Sequence, residues 1–466
     1  MTQTRRNIIR QSLVGSAALG LRALASGIPV GALQLMQIPS AHALDLAAAT
    51  QKPQYLLLNL SSNGDPFNAN CPGSYDATQP GIFNNPNGPT TSYDMTPVAI
   101  QLGSQQVKAA KPWATLPQWA LDRTTFIHHR TYQNIHPQFA NVMSLVGSSR
   151  GPMGETSRPD DIASIISYAL AQPSLLGCIQ PQPMNFSAPS VKYQGQVIQR
   201  ITPSALKGLF ADPAAAEKQL RTLRDQDVNK FYTILKSTGG GAVSPSQVRW
   251  LDEHAKSQTQ VRSLSSDVIQ QLGTLTGLDS NLQTQIDAAL LAFKLNITAV
   301  ATVSIAFGGD NHNDAGLTQE AQQTYQGIAD LNYFFTKLQA MGLTDQVTLA
   351  NLAVFGRTLK QSLNAGRSHN LNHHVMAITG LGIKPGVVGG IVPADNDFGA
   401  GAFDSRSGML AAAGDVPVED GLESAARTLG ASLGVPQTVL DTRIRRKNPD
   451  GIDVAVGKSI KSALAV

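Results

Sequence analysis

Short apolar runs along the chain alternate with polar turns and with longer segments of helical spacing. The runs that predict buried strands cover residues 55–60, 124–127, 297–307, 347–355 and 375–379. Between the third and the fourth run, residues 320–341 have apolar positions at helical spacing. This succession of strand, polar turn, helix and strand predicts an α/β protein whose sheet is layered by helices.

The segments between these runs predict a loop and several helices. Ala69–Thr96 is rich in Asn, Pro, Gly and Ser, which predicts a long irregular loop of the kind that is usually functional. Apolar spacing predicts a helix from His136 to Val146, behind a His-rich turn, and another over residues 419–433. Residues 160–295 are mostly helical in pattern, with starts at Pro203 and Ser244, and predict a mainly helical insertion or cap.

The first 43 residues have the pattern of an export signal. A basic opening with Arg5 and Arg6 precedes a weakly apolar run and a small-residue cleavage site at Ala41–Ala43, and no acidic residue occurs before Asp45. The pattern predicts a cleavable twin-arginine signal and a working chain, residues 44–466, that begins near Leu44. A membrane anchor is the alternative, although a span needs about 20 predominantly apolar residues. The apolar run is broken by Arg22, Gly27, Pro29 and Gly31.

Export by the twin-arginine translocase predicts a periplasmic, extracellular or cell-surface protein without a stable membrane span after processing. It also changes the charge of the working chain. Four of the 36 basic residues lie in the signal, which leaves 32 basic and 32 acidic residues. A neutral chain without clustered Lys and Arg gives no support for nucleic-acid binding.

The two cysteines exclude a disulfide scaffold. Cys71 and Cys178 fit no metal motif, and an oxidising compartment permits one bridge between them. Two free thiols are the alternative.

Histidines and acids gather next to the predicted strands. Seven histidines lie in three places: His128, His129 and His136; His312; and His369, His373 and His374. Asp65 and Asp310 follow two strands in the same way. Because ligands of open α/β sheets bind beyond the carboxyl ends of strands, these polar groups are candidates for one site.

Their chemistry suits a divalent cation. Asp310 and His312 offer a carboxylate oxygen and an imidazole nitrogen from one turn, His369 and His374 offer nitrogens from a second loop, and Asp65 offers an oxygen from a third. For any single histidine the alternative is a core or hydrated position beside a strand.

Four motifs and a glycine turn follow one another along the chain, at Leu57–Asn68, Phe307–His312, Phe355–Thr358, Ser368–His374 and Gly386–Gly390. Their order and spacing resemble a family of exported bacterial proteins called domain of unknown function 1501, in the alkaline phosphatase and sulfatase superfamily. Leu57–Asn68 is similar to the family's opening strand and loop, and Phe307–His312 to its G-G-W-D-T-H motif. Phe355–Thr358 is similar to S-E-F-G-R-T, Ser368–His374 to D-H-G-x-x-x-H, and Gly386–Gly390 to the glycine turn that follows.

The resemblance implies an alkaline phosphatase-like fold, with a mixed, mostly parallel sheet between helical layers and a metal site at the strand ends. It implies one or two divalent ions, such as Zn, Ca, Mg or Mn. The ligands carried over by position are Asp65, Asp310, His312 and His369, with His374 as a further candidate. The segment Asn134–Pro137 stands where the superfamily has its nucleophile.

Three positions depart from the family pattern. Ile135 stands where a Ser is usual, Val354 where a Glu is usual, and Ser368 where an Asp is usual. Isoleucine cannot act as a nucleophile. Fewer carboxylates also leave less negative charge to neutralise a second cation, which favours one ion rather than two.

Two functions follow as hypotheses. The first is an exported metal-dependent hydrolase of small or polymeric phosphate or sulfate esters, in which Arg357 steadies the developing anion and His136 acts as general base on a water activated by the cation. The alternative role for Arg357 is structural: its guanidinium would tie two loops together. The second hypothesis is a non-catalytic exported or cell-surface binding protein on the same fold.

Overall fold

The apolar runs form strands of a seven-stranded sheet in the computed structural model of the chain. The structure describes residues 53–75, 81–145, 160–170, 182–188, 191–193, 195–210, 230, 233, 275, 277, 279–361, 366–447, 450 and 452–465. The signal segment 1–43, Cys178 and the helix start at Ser244 lie outside the described residues.

The strands are numbered along the chain. They are β1 (Tyr55–Ser61), β2 (Pro97–Leu102), β3 (Gln105–Ala110), β4 (Thr124–His129), β5 (Met184–Asn185), β6 (Lys192–Tyr193), β7 (Gln196–Val197), β8 (Val300–Val303), β9 (Val347–Ala353), β10 (Gly356–Arg357), β11 (His369–Asn370), β12 (His374–Thr379), β13 (Gly386–Val388), β14 (Ile391–Ala394), β15 (Asp397–Ala400), β16 (Arg445–Lys447) and β17 (Asp453–Ala455).

The α-helices are numbered in the same way. They are α1 (Phe67–Asn70), α2 (Gln118–Leu121), α3 (Phe139–Met143), α4 (Ile162–Leu170), α5 (Pro203–Phe210), α6 (Leu282–Lys294), α7 (Thr318–Ala340), α8 (Gly421–Ser432) and α9 (Gln437–Arg443). Short 3₁₀ turns cover Lys111–Thr115, His136–Gln138, Val418–Asp420 and Lys461–Ala463.

The central sheet has the strand order β13-β4-β12-β9-β1-β8-β5. β1 runs parallel to β8 and β9, β5 runs parallel to β8, and β13 runs parallel to β4. β12 is antiparallel to both of its neighbours, β4 and β9. The expected mixed, mostly parallel sheet is therefore confirmed.

Helices cover both faces of this sheet. All seven residues of β1 are buried, as expected for a central parallel strand with an apolar layer on each side. Tyr55 and Leu57 pack in the core cluster that contains residues of α6 and α7, while Leu56 packs in the cluster that contains residues of α4, α8 and α9. The helical layers that the sequence predicts are present.

Several predicted helices occur close to their expected bounds. The helix predicted at 320–341 is α7, and it begins where the Asp314 carboxylate accepts the backbone N–H groups of Gln319 and Glu320. α5 begins at Pro203, as predicted, and the helix predicted at 419–433 is α8.

The described residues between 160 and 295 form the helices α4, α5 and α6, the sheet strand β5 and the hairpin of β6 and β7. These strands have two residues each, which is too short to leave an alternating pattern in the sequence. Most of this predicted helical insertion, including residues 211–229 and 234–274, lies outside the described part of the chain.

The prediction that a histidine-rich turn begins after residue 127 is wrong. β4 continues through His128 and His129, because both residues face β12 in register and are fully buried there. The turn begins after His129. Between residues 81 and 96 the described chain has no helix or strand, in agreement with the predicted loop.

The strand directions bring the candidate loops together. β1, β4, β8 and β9 run the same way, so the segments that follow them emerge at one edge of the sheet. Because β12 runs the opposite way, the segment that precedes it, with His369, reaches the same edge. None of the helices in the described residues has the length and apolarity needed to cross a membrane.

Candidate functional site

Three predicted ligands meet at this edge. The ligand atoms of Asp310, His312 and His369 all lie within 4.8 Å of one another, and Asp310 Oδ1 is 3.3 Å from His312 Nε2. The Asp310 side chain is 61% exposed and that of His312 is 32% exposed, so the group, called here the triad, opens to solvent. One carboxylate oxygen and two imidazole nitrogens form a donor set that suits a divalent metal ion.

His369 is oriented by its surroundings. Its Nδ1–H donates to the carbonyl oxygen of Asn134 at 2.7 Å, and its ring stacks on Phe355 at 4.0 Å between centroids. Its Nε2 is buried and has no hydrogen-bond partner among the described residues. Burial lowers the pKa of His369, Arg357, His312 and His136 lower it further, and the bond to Asn134 opposes them. The ring therefore keeps a lone pair on Nε2, as a metal ligand must.

Arg357 lies behind the triad with its side chain fully buried. Its Nε donates to the carbonyl of Gly64 at 2.6 Å, and its Nη2 donates to those of Asn63 at 3.1 Å and Gly309 at 2.9 Å. Its Nη1 lies 3.5 Å from Asp310 Oδ1 and 3.4 Å from His312 Nε2. The guanidinium thus ties the loops after β1 and β8 together and supports two of the three ligands.

A glycine allows one of these contacts. Gly64 has a φ of 65°, in the left-handed region, and a Cβ atom there would overlap the ring of Phe355. Only glycine combines this backbone conformation with the close approach. The carbonyl of Gly64 can then face the Arg357 guanidinium.

Asp65 lies outside the triad. It is buried, and its two oxygens accept hydrogen bonds from Ser61 Oγ at 2.8 Å and from the backbone N–H of Phe307 at 3.3 Å. Burial raises the pKa of Asp65 to about 6, against the effects of both hydrogen bonds and of Arg357. In this position the carboxyl group joins the loops after β1 and β8.

His374 also lies outside the triad. It is the first residue of β12, fully buried, and it pairs with His129 across the strands at 5.3 Å between ring centroids. Neither ring nitrogen of His374 has a hydrogen-bond partner among the described residues. Burial lowers the pKa of His374 well below its usual value.

The neighbouring residues His128 and His373 form a hydrogen-bonded pair. Their Nδ1 and Nε2 atoms are 2.9 Å apart, and His373 Nδ1 lies 2.9 Å from the amide nitrogen of Asn68. Burial lowers the pKa of His128 and of His129 to about 4, so both rings are neutral at pH 7. The four residues His128, His129, His373 and His374 are called the buried histidines below.

His136 stands beside the triad. Its ring is 5.1 Å from that of His369 and 5.0 Å from that of Phe355, and its Nδ1 donates to the carbonyl of Ser62 at 2.8 Å. Ile135, at the predicted nucleophile position, is 51% exposed and presents no hydroxyl or thiol.

The sequence patterns do not identify three polar residues behind the site. Glu320, Arg367 and Asn311 are all buried, and they contact one another. The sequence offers only their positions as a signal. Asn311 lies between Asp310 and His312, Arg367 lies two residues before His369, and Glu320 lies in the first turn of α7. A buried Arg and Glu cannot be recognised from spacing, because such residues are usually exposed.

Residues 235–406 match the model of a family described as "Protein of unknown function (DUF1501)". The matched part contains the triad, Arg357 and the buried residues His373 and His374, and it agrees with the family resemblance of the motifs. No curated protein matches the chain.

Proposed function

We propose that the chain is an exported metal-dependent hydrolase of phosphate or sulfate esters on an alkaline phosphatase-like fold. The observation that supports it most is the triad, in which residues from two distant loops bring three ligand atoms within 4.8 Å of one another. The mixed, mostly parallel sheet and the order of the motifs along it agree with this assignment. Export is inferred from the twin-arginine pattern of residues 1–43.

The residues of the triad fit a single divalent ion. His369 Nε2 is buried without a partner, and its other nitrogen donates to a carbonyl, as in most metal-binding histidines. Two nitrogens and one oxygen favour Zn over Ca, Mg and Mn, which suit ligand sets made of oxygen. When bound, such an ion would polarise the ester oxygen and lower the pKa of a water molecule.

The protein's own groups then have distinct tasks. Arg357 holds Asp310 and His312 in place and brings positive charge next to the site, while its contacts to backbone carbonyls keep it fixed. His136 donates Nδ1–H to the carbonyl of Ser62, so Nε2 is the ring nitrogen that would accept a proton from water. His136 is therefore the candidate general base.

The second proposal is a non-catalytic exported or cell-surface binding protein that keeps one metal ion. It is supported by the exposed Ile135 in place of a nucleophile. It is also supported by Arg357, whose Nε and Nη2 both donate to backbone carbonyls. An arginine fixed in this way has fewer donors to offer a substrate anion.

Metal content and turnover separate the two proposals. The mature protein would be loaded in turn with Zn²⁺, Mn²⁺, Ca²⁺ and Mg²⁺, its metal content measured by mass spectrometry, and its activity measured on aryl phosphates and aryl sulfates. Asp310→Asn and His369→Ala should lose the metal and the activity. Asp122→Asn is the matched control, because Asp122 is exposed and lies at the opposite edge of the sheet, before β4.

Each result has a consequence. Stoichiometric metal with turnover supports the hydrolase, and metal without turnover supports the binding protein. No metal and no turnover would exclude the hydrolase. A His136→Ala variant that retains full activity would remove His136 as the general base, since a positioned base contributes about 100-fold or more.

Export is tested separately from catalysis. Replacing Arg5 and Arg6 by lysine should leave the full-length precursor in the cytoplasm, while the wild-type chain appears outside it in a shorter form. Equal distribution of the two proteins between cell fractions would contradict the twin-arginine assignment.

A further inference from the structure

A buried ion pair lies behind the two segments that carry the triad. Arg367 Nε is 2.8 Å from Glu320 Oε2, and both side chains are fully buried. Glu320 is in the first turn of α7, and Arg367 precedes His369 by two residues. Arg367 is thus close in sequence to the second ligand segment, and Glu320 lies in the helix that follows the first.

Asn311 connects the pair to the first segment. Its side-chain amide donates to Glu320 Oε2 at 2.8 Å, and its backbone carbonyl accepts the backbone N–H of Arg367 at 3.2 Å. Asn311 stands between Asp310 and His312, so fixing it at side chain and backbone fixes the turn that presents both ligands.

Arg367 anchors the second segment with its remaining donors. Its Nη1 donates to the carbonyl of Thr358 at 2.8 Å, and its Nη2 donates to that of Phe83 at 2.8 Å. Both nitrogens thus hold residue 367 against neighbouring backbone, two positions before His369.

The backbones of the two segments also touch. A Cβ atom on Gly366 would overlap the carbonyl oxygens of Asn311 and His312, so only glycine permits this approach. This contact between the backbone of Gly366 and the backbone of Asn311 and His312 limits the distance between the Asp310 turn and His369. The polar contacts of Glu320, Arg367 and Asn311 lie at the same place.

A buried ion pair is weak evidence for a stabilising role, because well-packed apolar residues in its place often stabilise a fold equally well. Such a pair also holds its neighbours in place through directed hydrogen bonds. Residues that orient metal ligands in this way commonly affect metal affinity. We infer that Glu320, Arg367 and Asn311 form a positioning clamp that fixes Asp310 and His312 relative to His369 and so sets the affinity of the triad for a divalent ion. This inference rests on the metal site of the proposed function.

Zinc affinity of the folded protein tests the clamp. Asn311→Ala removes the amide that joins the turn to Glu320 and keeps both charges of the ion pair, so it is the main variant. Its zinc affinity, measured by competition with a chromophoric chelator, should fall about 10- to 100-fold, as for other residues behind metal ligands. Glu320→Gln should lower the zinc affinity at least as much. If Glu320→Gln does not fold, the result for Asn311→Ala alone decides whether the clamp exists.

Arg427→Gln is the matched control. Arg427 is equally buried and donates to Asp441 at 2.6 Å and to the carbonyls of Val456 and Ile444, in the C-terminal part of the chain. This variant should lower the melting temperature and leave zinc affinity unchanged. If it weakens zinc binding as much as Asn311→Ala does, general destabilisation explains both results and the clamp is rejected.

Two further results separate the clamp from the metal site. If Asn311→Ala and Glu320→Gln bind zinc as the wild type does while Asp310→Asn does not, the clamp is wrong and the metal site stands. If the wild type binds zinc no better than Asp310→Asn, the metal site and the clamp both fail.

Discussion

The triad histidines and the buried histidines lie at the same edge of the sheet in very different surroundings. His312 and His369 are partly exposed and turn toward an exposed carboxylate. The buried histidines lie in or beside β4 and β12, where burial lowers the pKa of each. Histidines four positions apart, such as His369 and His373, thus differ in exposure, and the proposed metal site would divide them between binding and folding. The expected effects below test this division, from the largest to the smallest.

Acid should destabilise the fold through the buried histidines. The pKa of His128 and of His129 is lowered to about 4 in the fold from 6.5, so their contribution is complete above pH 6.5 and is lost as pH falls through 4. Because one pKa unit is worth about 1.4 kcal/mol, the two together contribute about 7 kcal/mol.

Urea unfolding at pH 7 and pH 4.5 would measure this loss. The His129→Gln variant should show a smaller drop between the two pH values than the wild type, whereas His312→Gln should keep the wild-type drop. Asp65 acts in the opposite direction, since its raised pKa gives a contribution that is present below 3.8 and lost as pH rises through about 6. Parallel pH profiles for all three proteins would contradict the division.

His373→Ala should lower the free energy of unfolding by about 3 kcal/mol, because it opens a cavity and removes the hydrogen bonds that His373 makes with His128 and Asn68. Its zinc affinity should stay within a factor of about 2 of the wild type, which is about 0.4 kcal/mol. Chemical denaturation gives the first quantity and chelator competition the second. A loss of zinc binding in a folded His373→Ala protein would assign this residue to the metal site.

His369→Ala should weaken zinc binding at least about 100-fold, or about 2.7 kcal/mol, because it removes one of three protein ligands. His136→Ala is its control, since His136 lies 5.1 Å from His369 between ring centroids but is not one of the three. Equal losses in both variants would mean that the site is built differently from the triad.

The smallest effect is expected for Asp310→Asn in the metal-free protein. The side chain is 61% exposed and 3.5 Å from Arg357, so its loss should change the free energy of unfolding by less than about 0.5 kcal/mol. Thermal melts in excess chelator would show this. A large destabilisation without metal would mean that Asp310 belongs to the fold and not to a binding site.

Much of the fold is predictable because buried parallel strands leave continuous apolar runs. Residues 55–60 and 347–355 correspond closely to β1 and β9, and the helix predicted at 320–341 differs from α7 by one or two residues at each end. The end of β4 is missed, because histidine is not a typical strand residue and its burial depends on β12.

The site is predictable in part. The sequence predicts five ligands, Asp65, Asp310, His312, His369 and His374, and the structure brings Asp310, His312 and His369 together. Asp65 and His374 lie outside the triad for local reasons, since one bonds to Ser61 and the other pairs with His129 inside the sheet. His369 itself depends on Asn134, 235 residues earlier, and such distant partners leave no signal in one sequence.

The direction of β12 also affects how freely the site can change. β9 and β12 are antiparallel neighbours, so the chain between them leaves the sheet and returns at the same edge, and this geometry needs no crossover helix. A connection of this kind can gain or lose residues while the strand pairing stays in register. Insertions in this connection would therefore give the candidate metal site a new rim at little cost to the sheet.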